Sequence, residues 1–491
     1  PRGHRCIEPL MNIGTIIDAV ATDDPNRVAL IIGDRAIGYG QLATAIERCA
    51  AGLAANGVVA GSRVAVVDGG SLLSIASVLG AARIGAAAAL MNPALTSAEL
   101  RDLLRNAGCV GVGVAGEPFA GQLRAAGATN TLTPADLLSG QQLSPVPAVE
   151  EIADRDALVL FTSGTTGLPK AVGITSGQLT ARIRGIGAPF RANAAPIVGM
   201  MCVPFFHVGG SLGMLGSLYS GNTSVVQERF DAGQWLRLVQ EHRVRTAFLV
   251  PTMLQRILDH PDFTGTDLSS LVAIAYGAAA APVALVRRAM TALPHVAFAN
   301  VFGQTETLGA YTTLSPDDHR EPNRVGSVGM PLPGVKVRVV DPNTGNDVET
   351  GSVGELWVNT SQNVSQGWLH TGDLAYQDAD GYIYPSGRLS DTINRGGEKF
   401  GPVEVEEALR AHPAVTDVAV VGISDDEMGQ RVGAAVVACL PVTLEELRSH
   451  CRDRIAYFKL PERLMIVDRI PYTETGKLNR RQLAALIADH G

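Results

Sequence analysis

The chain has 491 residues, of which 46% are hydrophobic and 18% are charged. This composition excludes a disordered protein, and the length exceeds one ordinary folding unit, so we expect a globular body with more than one domain. The formal net charge of −8 offers no positive field to a polyanion, which argues against nucleic acid as a partner.

The cysteines and the apolar stretches indicate the compartment. No two of the six cysteines have CxxC spacing, so the sequence indicates neither a zinc site nor a redox motif, and we expect reduced thiols in a cytoplasmic protein. The most membrane-like stretch, 71–91, contains Arg83 and several glycines and serines, which favours a buried helix and a strand over a membrane span. The first ten residues lack both a starting Met and an apolar signal core, so we place the start of the folded chain at Met11.

Helical and strand patterns alternate along most of the chain, which predicts an α/β fold. The patterns predict strands at 63–67, 85–90, 157–161, 171–175, 246–250 and 271–276, and helices at 71–83 and 234–241. Short alternating strands, such as 336–340 and 355–358, are separated by turn sequences and predict a small β-rich subdomain at 326–384.

The pattern of predicted helices and strands changes after residue 388. The patterns predict helices at 402–411 and 443–454 and strands at 415–421 and 433–437, which suffice for a separate small α+β domain. The predicted organisation is therefore a large α/β domain at 11–388, which includes the β-rich subdomain, and a small domain at 389–491.

The most informative stretch is TSGTTGLPK at 162–170. Hydroxyl groups, bare backbone amides and one ammonium group are what a triphosphate needs around it. The stretch is not a Walker loop, because only two residues separate its glycines and Ala171 follows Lys170. Since a strand pattern lies on each side, we predict a hairpin loop that binds phosphates.

TSGTTGLPK resembles the phosphate loop of the acyl-adenylate-forming superfamily, which includes the acyl-CoA synthetases. Further stretches that resemble this family follow in order: PFFHVGG at 204–210, YGAAAAP at 276–282, FGQTE at 302–306, HTGD at 370–373, GRLSDTINRGGEKFGPVEVE at 387–406 and TETGK at 473–477. The resemblance implies an ATP-dependent carboxylate–CoA ligase. The acid would react with MgATP to give acyl-AMP and pyrophosphate, and CoA, the co-substrate, would then take the acyl group.

The side chains of several stretches suit a nucleotide independently of the family. Thr305 offers a hydroxyl to a phosphate, and the carboxylate of Glu306 suits a Mg²⁺ ion that bridges phosphate oxygens. Asp373 can accept from both ribose hydroxyls, and Arg388 can reach the ribose or a phosphate. The full set of ATP- and AMP-binding residues that the resemblance implies is Thr162, Ser163, Gly164, Thr165, Thr166, Gly167, Lys170, Gly277, Ala278, Ala279, Phe302, Gly303, Gln304, Thr305, Asp373 and Arg388.

The region around His207 is the predicted acyl pocket. His207 matches a family histidine that lines the acyl site, and we predict that Val208, Gly209 and Gly213 line the same pocket. Members that activate amino acids typically have an aspartate in this region, whereas this chain has no acidic residue from 205 to 220. A plain carboxylic acid is therefore the predicted substrate.

Two features of the pocket predict opposite sizes. Gly209, Gly213 and Gly216 recur at helical spacing, which indicates either close helix packing or a groove for an acyl chain. Ala278 and Ala279 replace glycines that are frequent in relatives, and their methyl groups would narrow the pocket. The two alternatives for chain length therefore stay open.

The resemblance assigns roles in catalysis and domain motion near the C-terminus. Lys477 matches the family's catalytic lysine, which would bridge the attacking carboxylate and the α-phosphate, and His207, Thr305 and Glu306 complete the predicted catalytic set. Ser390 occupies the hinge position of a mobile small domain, where relatives usually have Asp or Lys.

The resemblance also assigns a second stretch of the small domain to the binding of CoA. Gly396 and Gly397 belong either to a loop that lines the pantetheine tunnel or to a simple turn. Two other functions remain as alternatives: an acyl-AMP ligase that loads a carrier-protein pantetheine, and a non-catalytic nucleotide-binding relative.

Overall fold

The computed structural model describes residues 11–109, 111–139, 144, 146–150, 152–162, 169–191, 196–472 and 478–489. They have the predicted α/β architecture and divide into two compact units. The first unit extends to Gly277 and also includes Ala284–Tyr311 and Ser361–Gln366. The second contains Ala278–Val283, Thr312–Thr360 and the chain from Gly367 onward.

The α-helices within the described residues are, in chain order, α1 (Asp18–Asp23), α2 (Tyr39–Ala55), α3 (Leu72–Arg83), α4 (Ser97–Ala107), α5 (Ala120–Ala126), α6 (Pro134–Leu137), α7 (Ser176–Arg191), α8 (Val208–Tyr219), α9 (Ala232–His242), α10 (Pro251–Leu258), α11 (Val283–Ala292), α12 (Pro402–Arg410), α13 (Leu444–Cys451) and α14 (Arg480–Asp489).

The β-strands within the same residues are β1 (Val28–Ile32), β2 (Arg35–Gly38), β3 (Arg63–Val67), β4 (Ala87–Met91), β5 (Val112–Ala115), β6 (Asn130–Leu132), β7 (Asp156–Thr162), β8 (Lys170–Thr175), β9 (Val198–Met201), β10 (Thr223–Val226), β11 (Thr246–Leu249), β12 (Ala273–Gly277), β13 (Ala297–Gln304), β14 (Gly309–Leu314), β15 (Met330–Pro331), β16 (Lys336–Val340), β17 (Gly354–Asn359), β18 (Leu369–Gln377), β19 (Ile383–Arg388), β20 (Ile393–Arg395), β21 (Glu398–Phe400), β22 (Val415–Asp425), β23 (Gly429–Ala438) and β24 (Arg463–Ile466).

One sheet of the first unit has the order β6-β5-β3-β4-β7-β8. Its strands are parallel except for β8, which pairs antiparallel with β7 at the edge. Strand β4 is apolar at every position because both of its faces are buried. Ala88 and Leu90 pack in the cluster that contains α2 and α3, whereas Ala87, Ala89 and Met91 pack with α4 and α5.

The second sheet of the first unit has the order β14-β13-β12-β11-β9-β10-β1-β2. Strands β13, β12, β11, β9, β10 and β1 are parallel, and β2 is an antiparallel edge strand. The neighbouring strands β11, β12 and β13 end at Leu249, Gly277 and Gln304. Their carboxyl ends therefore lie along one edge, which is where open α/β sheets bind ligands.

The second unit contains two further sheets. The antiparallel sheet β16-β17-β18-β19 corresponds to the predicted β-rich subdomain. The other sheet has the order β21-β20-β23-β22, and β24 pairs parallel with β23. On β22, Val418 and Val420 pack with α12 and α13, whereas Ala419 and Val421 pack with α14, so this sheet has helices on both faces.

The sequence predicts reduced thiols. The five cysteines among the described residues are free. Burial raises the pKa of the Cys49 and Cys202 thiols to about 12, so both are protonated and unreactive at neutral pH. In the described part of the chain, none of the helices combines the length and the hydropathy that crossing a bilayer requires.

Arg480, at the start of α14, binds two carboxylates. Its Nε lies 3.0 Å from Asp391 Oδ2, and its Nη1 lies 2.7 Å from Glu406 Oε1. The Glu406 side chain is 10% exposed and also accepts from the Val420 amide at 2.9 Å. The guanidinium therefore joins α14 to α12 and to the turn that follows β19.

We predict that Arg480→Met lowers the free energy of unfolding of this unit by roughly 3 kcal/mol, because Glu406 loses its counter-charge while it stays buried. Urea denaturation measures the effect. Arg481→Met is the matched control, since Arg481 is exposed on the same helix, and it should change stability by no more than about 0.5 kcal/mol. Equal effects of the two substitutions would contradict a structural role for the Arg480 ion pairs.

Candidate active site

The predicted phosphate loop connects two paired strands. Thr162 at the end of β7 pairs with Lys170 at the start of β8, so the predicted hairpin is confirmed. Pro169 is held from outside the hairpin, because Asn106 Nδ2 donates to its carbonyl at 2.7 Å. The loop leaves β7 at the carboxyl end of the parallel sheet. Five of the predicted phosphate-binding residues lie outside the described residues: Ser163, Gly164, Thr165, Thr166 and Gly167.

His207 is the N-cap residue of α8. Its backbone is extended, with φ −105° and ψ 150°, and its carbonyl accepts from the Ser211 amide at 2.9 Å. The imidazole is half-buried and lies against the ring of Phe206, with 4.5 Å between the ring centroids. The start of α8 therefore fixes the position of the predicted acyl-site histidine.

The glycines that follow on α8 differ in their surroundings. A Cβ at Gly209 would lie 2.8 Å from the Phe248 ring, and one at Gly216 would lie 2.7 Å from Ile186. At Gly213 the nearest atom would be Met201 Sδ at 3.8 Å, which is an ordinary contact distance. Close packing therefore accounts for Gly209 and Gly216, whereas Gly213 has space for a side chain.

The FGQTE stretch forms the end of β13 and a tight turn. A Cβ at Gly303 would lie 2.0 Å from the Gly309 carbonyl oxygen, so this crossing requires glycine. Thr307 closes the turn, because its hydroxyl bonds to the carbonyls of Gln304 at 3.0 Å and Gly309 at 2.7 Å. Thr305 lies at the tip of this turn.

The predicted metal residue and its neighbours are half-buried. Phe302 and Glu306 both have this partial exposure, and the Phe302 ring packs edge-on against Tyr311 at 5.3 Å. The Gln304 side-chain Nε2 is buried and has no acceptor within the described residues. A half-exposed carboxylate and a buried donor without an acceptor are consistent with a ligand site at the end of β13.

A segment that the sequence did not indicate supports this turn. The backbone amide of Val364 donates to the carbonyl of Glu306 at 2.9 Å. Two residues before it, the Gln362 side chain accepts from Arg182 Nη1 at 3.2 Å. The segment 361–366 belongs to the first unit, although β16 and β17 precede it in the chain. No residue type within SQNVSQ marks it as part of a site, and only the long-range contacts reveal it.

Asp373 and Arg388 are directly opposite each other on β18 and β19. Arg388 Nε lies 2.8 Å from Asp373 Oδ1, and the Asp373 side chain is 12% exposed whereas that of Arg388 is 48% exposed. Thr371 orients the aspartate, since its hydroxyl accepts from the Asp373 amide at 3.0 Å. The structure thus brings together two residues that were predicted separately to bind the nucleotide, Asp373 at the ribose and Arg388 at the ribose or a phosphate.

Ser390 lies in the 3-10 turn Leu389–Asp391, where its hydroxyl donates to Asp391 Oδ1 at 3.1 Å. Gly396 and Gly397 form the turn between β20 and β21, with φ values of +59° and +95°. Two successive positive φ values are typical of a tight hairpin turn and explain both glycines.

An ion pair fixes the base of this hairpin. Arg395 donates from Nε and Nη2 to the Glu462 carboxylate at 2.7 and 2.9 Å. These bonds hold the pKa of Glu462 below its usual value. Lys477, the predicted catalytic lysine, lies outside the described residues, and Tyr472 and Leu478 on its two sides pair antiparallel.

Comparison with known proteins gives matches along the whole chain. The family model described as AMP-binding enzyme matches residues 17–369, and the model described as AMP-binding enzyme C-terminal domain matches residues 404–477. The indoleacetate–CoA ligase of Aromatoleum aromaticum is 31% identical, covering 97% of this chain and 98% of its own. The feruloyl-CoA synthase of an Amycolatopsis species is 32% identical over 92% and 94% of the two chains.

A solved structure is also similar along the whole chain. The o-succinylbenzoate coenzyme A synthetase of Bacillus subtilis, in complex with ATP and a magnesium ion, superposes with a TM-score of 0.84 at 28% identity. The match covers 96% of this chain and 99% of that one.

Ala278 has a backbone conformation that favours glycine. It follows Gly277, where a Cβ would lie 2.1 Å from the Val301 carbonyl oxygen, and it has φ +66°. A left-handed alanine costs about 1–2 kcal/mol. Ala279 does not have a positive φ, so the two alanines differ in strain.

We predict that Ala278→Gly raises the free energy of unfolding by about 0.5–1 kcal/mol, because relief of the strain exceeds the added entropy of the unfolded glycine chain. Ala279→Gly, the matched control, should lower it by a similar amount. Thermal and urea denaturation of both variants provide the measurement. Shifts of the same sign in both variants would disprove the strain at Ala278.

Proposed function

Since the chain belongs to the AMP-binding enzymes of the acyl-adenylate-forming superfamily, as an AMP-forming acid–thiol ligase, we propose that it converts a carboxylic acid without an α-ammonium group to its CoA thioester through an acyl-adenylate. The observation that carries this proposal is the likeness, over more than nine-tenths of the chain, to ligases that join acids to CoA. The first half-reaction consumes ATP and releases pyrophosphate, and the second consumes CoA and releases AMP.

The residues proposed to bind the nucleotide are those named from the sequence. The phosphate loop (Thr162, Ser163, Gly164, Thr165, Thr166, Gly167 and Lys170) holds the β and γ phosphates. Asp373 accepts from the ribose hydroxyls, and Arg388 binds the ribose or a phosphate. Gly277, Ala278, Ala279, Phe302, Gly303, Gln304 and Thr305 contact the rest of the nucleotide.

Glu306 is the proposed magnesium ligand. A single half-buried carboxylate fits Mg²⁺ in such a site, since this ion is usually held by one or two carboxylates together with substrate phosphates. The ion would neutralise charge on the phosphate oxygens. The backbone hydrogen bond from Val364 and the hydroxyl of Thr307 keep the turn that carries Glu306 in one conformation.

The acid is proposed to bind beside His207, Val208, Gly209 and Gly213. No carboxylate occurs from 205 to 220, so an α-ammonium group would lack a counter-charge there. His207, whose half-buried imidazole is at the start of α8, is proposed to contact the reacting carboxylate.

The thiol half-reaction is proposed to involve the domain at 389–491, with the boundary after Arg388 and the pivot at Ser390. Gly396 and Gly397 allow the backbone of their hairpin turn to approach the pantetheine closely. CoA is favoured over a carrier protein as the acceptor, because the relatives described above are named for CoA. We assign no role in the reaction to the oligomeric state.

A panel of acids tests the proposal. Fatty, aromatic and dicarboxylic acids should drive ATP–pyrophosphate exchange, and CoA should convert the adenylate to free acyl-CoA with release of AMP. Selective turnover of free amino acids would overturn the substrate prediction. Thioester formation on a carrier protein but not on CoA would favour the carrier-protein alternative, and no exchange with any acid would favour a non-catalytic nucleotide-binding protein.

Lys477→Ala should lower the rate of acyl-AMP formation by about 10²–10³, because one charge contact to the reacting carboxylate and α-phosphate is lost in a water-excluded site. Conversion of supplied acyl-AMP and CoA to the thioester should stay near the rate of the unsubstituted enzyme. Lys336→Ala, a change at an exposed strand residue, is the control and should affect neither step. Equal loss of both half-reactions in Lys477→Ala would mean that the lysine has another role.

A further inference from the structure

A bulge in β18 carries the aspartate that is proposed to bind the ribose. On β17, Glu355 pairs with Leu374, and two residues later Trp357 pairs with His370. One residue of β17 therefore lies opposite three residues of β18, which are 371–373. Bulges of this kind bend a strand and re-aim a side chain, and they are frequent next to active sites.

The bulge leaves backbone groups without their usual partners in the sheet. Gly372 has φ +71°, a conformation that favours glycine, and its amide donates to Glu355 Oε1 at 3.2 Å. The Thr371 hydroxyl donates to the Leu356 carbonyl at 2.6 Å and accepts from the Asp373 amide at 3.0 Å. Two side chains thus replace the backbone bonds that a regular strand would make.

Trp357 fixes the orientation of the Glu355 carboxylate. The indole Nε1 donates to Glu355 Oε2 at 2.9 Å, while the other carboxylate oxygen accepts from the Gly372 amide. The indole also stacks on the imidazole of His370, the residue before the bulge, with 3.8 Å between the ring centroids and 13° between the planes. Glu355 and Trp357 therefore contact both the residue before the bulge and its central residue.

A carboxylate is required at Glu355 if both hydrogen bonds are to form. Glu355 is 7% exposed, and both partners that the described residues give it are neutral N–H donors. Burial of a carboxylate costs free energy, and Glu406, a buried glutamate of the same unit, has an arginine as counter-charge. Glutamine in place of Glu355 could accept from one donor only, because its NH₂ group would face the other. The charge at Glu355 therefore serves the two hydrogen bonds that shape the bulge.

We propose that Glu355 is a positioning residue for the nucleotide sugar, because it holds the bulge in the shape that lets Asp373 accept from both ribose hydroxyls. Through Asp373, Glu355 sets how strongly the enzyme prefers ATP over deoxy-ATP. This inference rests on the proposed function, in which Asp373 binds the ribose, and it adds the residue that shapes this contact.

The test compares ATP with 2′-deoxy-ATP and 3′-deoxy-ATP in ATP–pyrophosphate exchange, driven by the best acid of the panel. The unsubstituted enzyme should prefer ATP about 10- to 100-fold in kcat/KM, since a missing hydroxyl removes a hydrogen bond to a buried carboxylate.

Glu355→Gln should reduce this preference about 3- to 10-fold, because one of the two hydrogen bonds at the bulge is lost. The KM for ATP should rise most. The KM for each deoxynucleotide should rise less, because each makes only one of the two bonds to Asp373, and kcat should stay near that of the unsubstituted enzyme.

Two further variants separate positioning from folding. Trp357→Phe keeps an aromatic ring on His370 but removes the Nε1–H donor, so it should reduce the preference for ATP by less than Glu355→Gln does. Glu349→Gln changes an exposed glutamate that precedes the same strand, and it should leave the preference and the KM values unchanged.

A proportional loss with ATP and with both deoxynucleotides in Glu355→Gln would overturn the inference, since the glutamate would then only stabilise the sheet. An unchanged preference in Glu355→Gln, or equal use of ATP and deoxy-ATP by the unsubstituted enzyme, would also overturn it while the exchange itself upheld the proposed function. No exchange with any acid would overturn the proposed function, and the inference with it.

Discussion

The close approach of Gly303 to Gly309 is the constraint on which the candidate active site of the first unit depends. A side chain at Gly303 would collide with the Gly309 carbonyl, so β13 can end against the start of β14 only with glycine at that position. The Thr307 hydroxyl then lies within hydrogen-bond distance of the Gln304 and Gly309 carbonyls, and Thr305 and Glu306 are left at the tip of the turn. The absent side chain at Gly309 leaves the space beside the Arg182 guanidinium. One backbone crossing therefore positions the predicted phosphate residues.

Elements that depend on local patterns could be predicted from the sequence. Their bounds could be predicted least well where pairing with another strand or a side-chain cap sets the end of the element. The strand Lys336–Val340 has the predicted bounds because turn residues lie on both sides. The strand predicted at 415–421 extends to Asp425, because it continues to pair with β23 as far as Gly429. The helix predicted from 443 begins at Leu444, since Thr443 is the N-cap residue and forms a capping box with Glu446. Tertiary pairing and side-chain caps thus set the first and last residues of strands and helices, which hydrophobic periodicity alone does not define.

The site could be predicted only where chemistry-bearing residues are close together in the sequence. FGQTE and HTGD contain their own chemical signal, but the segment 361–366 reaches the Glu306 turn through a backbone amide, which no residue type announces. Arg182 looks like any helical arginine in the sequence, and its lack of a carboxylate is a property of the fold. Ala278 resembles a neutral replacement of glycine, and only its φ of +66° shows that the replacement carries strain. These features were missed because they depend on backbone geometry or on distant partners.

The balance of charge differs between the Asp373–Arg388 pair and Arg182. The buried Asp373 carboxylate already has Arg388 as its counter-ion, so a ribose can add hydrogen bonds there without having to neutralise a buried charge. Arg388 is about half exposed and can adjust to a ligand at little cost. Arg182 is the opposite case, because its neutral partners satisfy hydrogen bonds but leave its charge unbalanced within the described residues. The two neutral acceptors offset only part of the cost of burying this charge, so the fold bears the remainder of the cost at this one side chain.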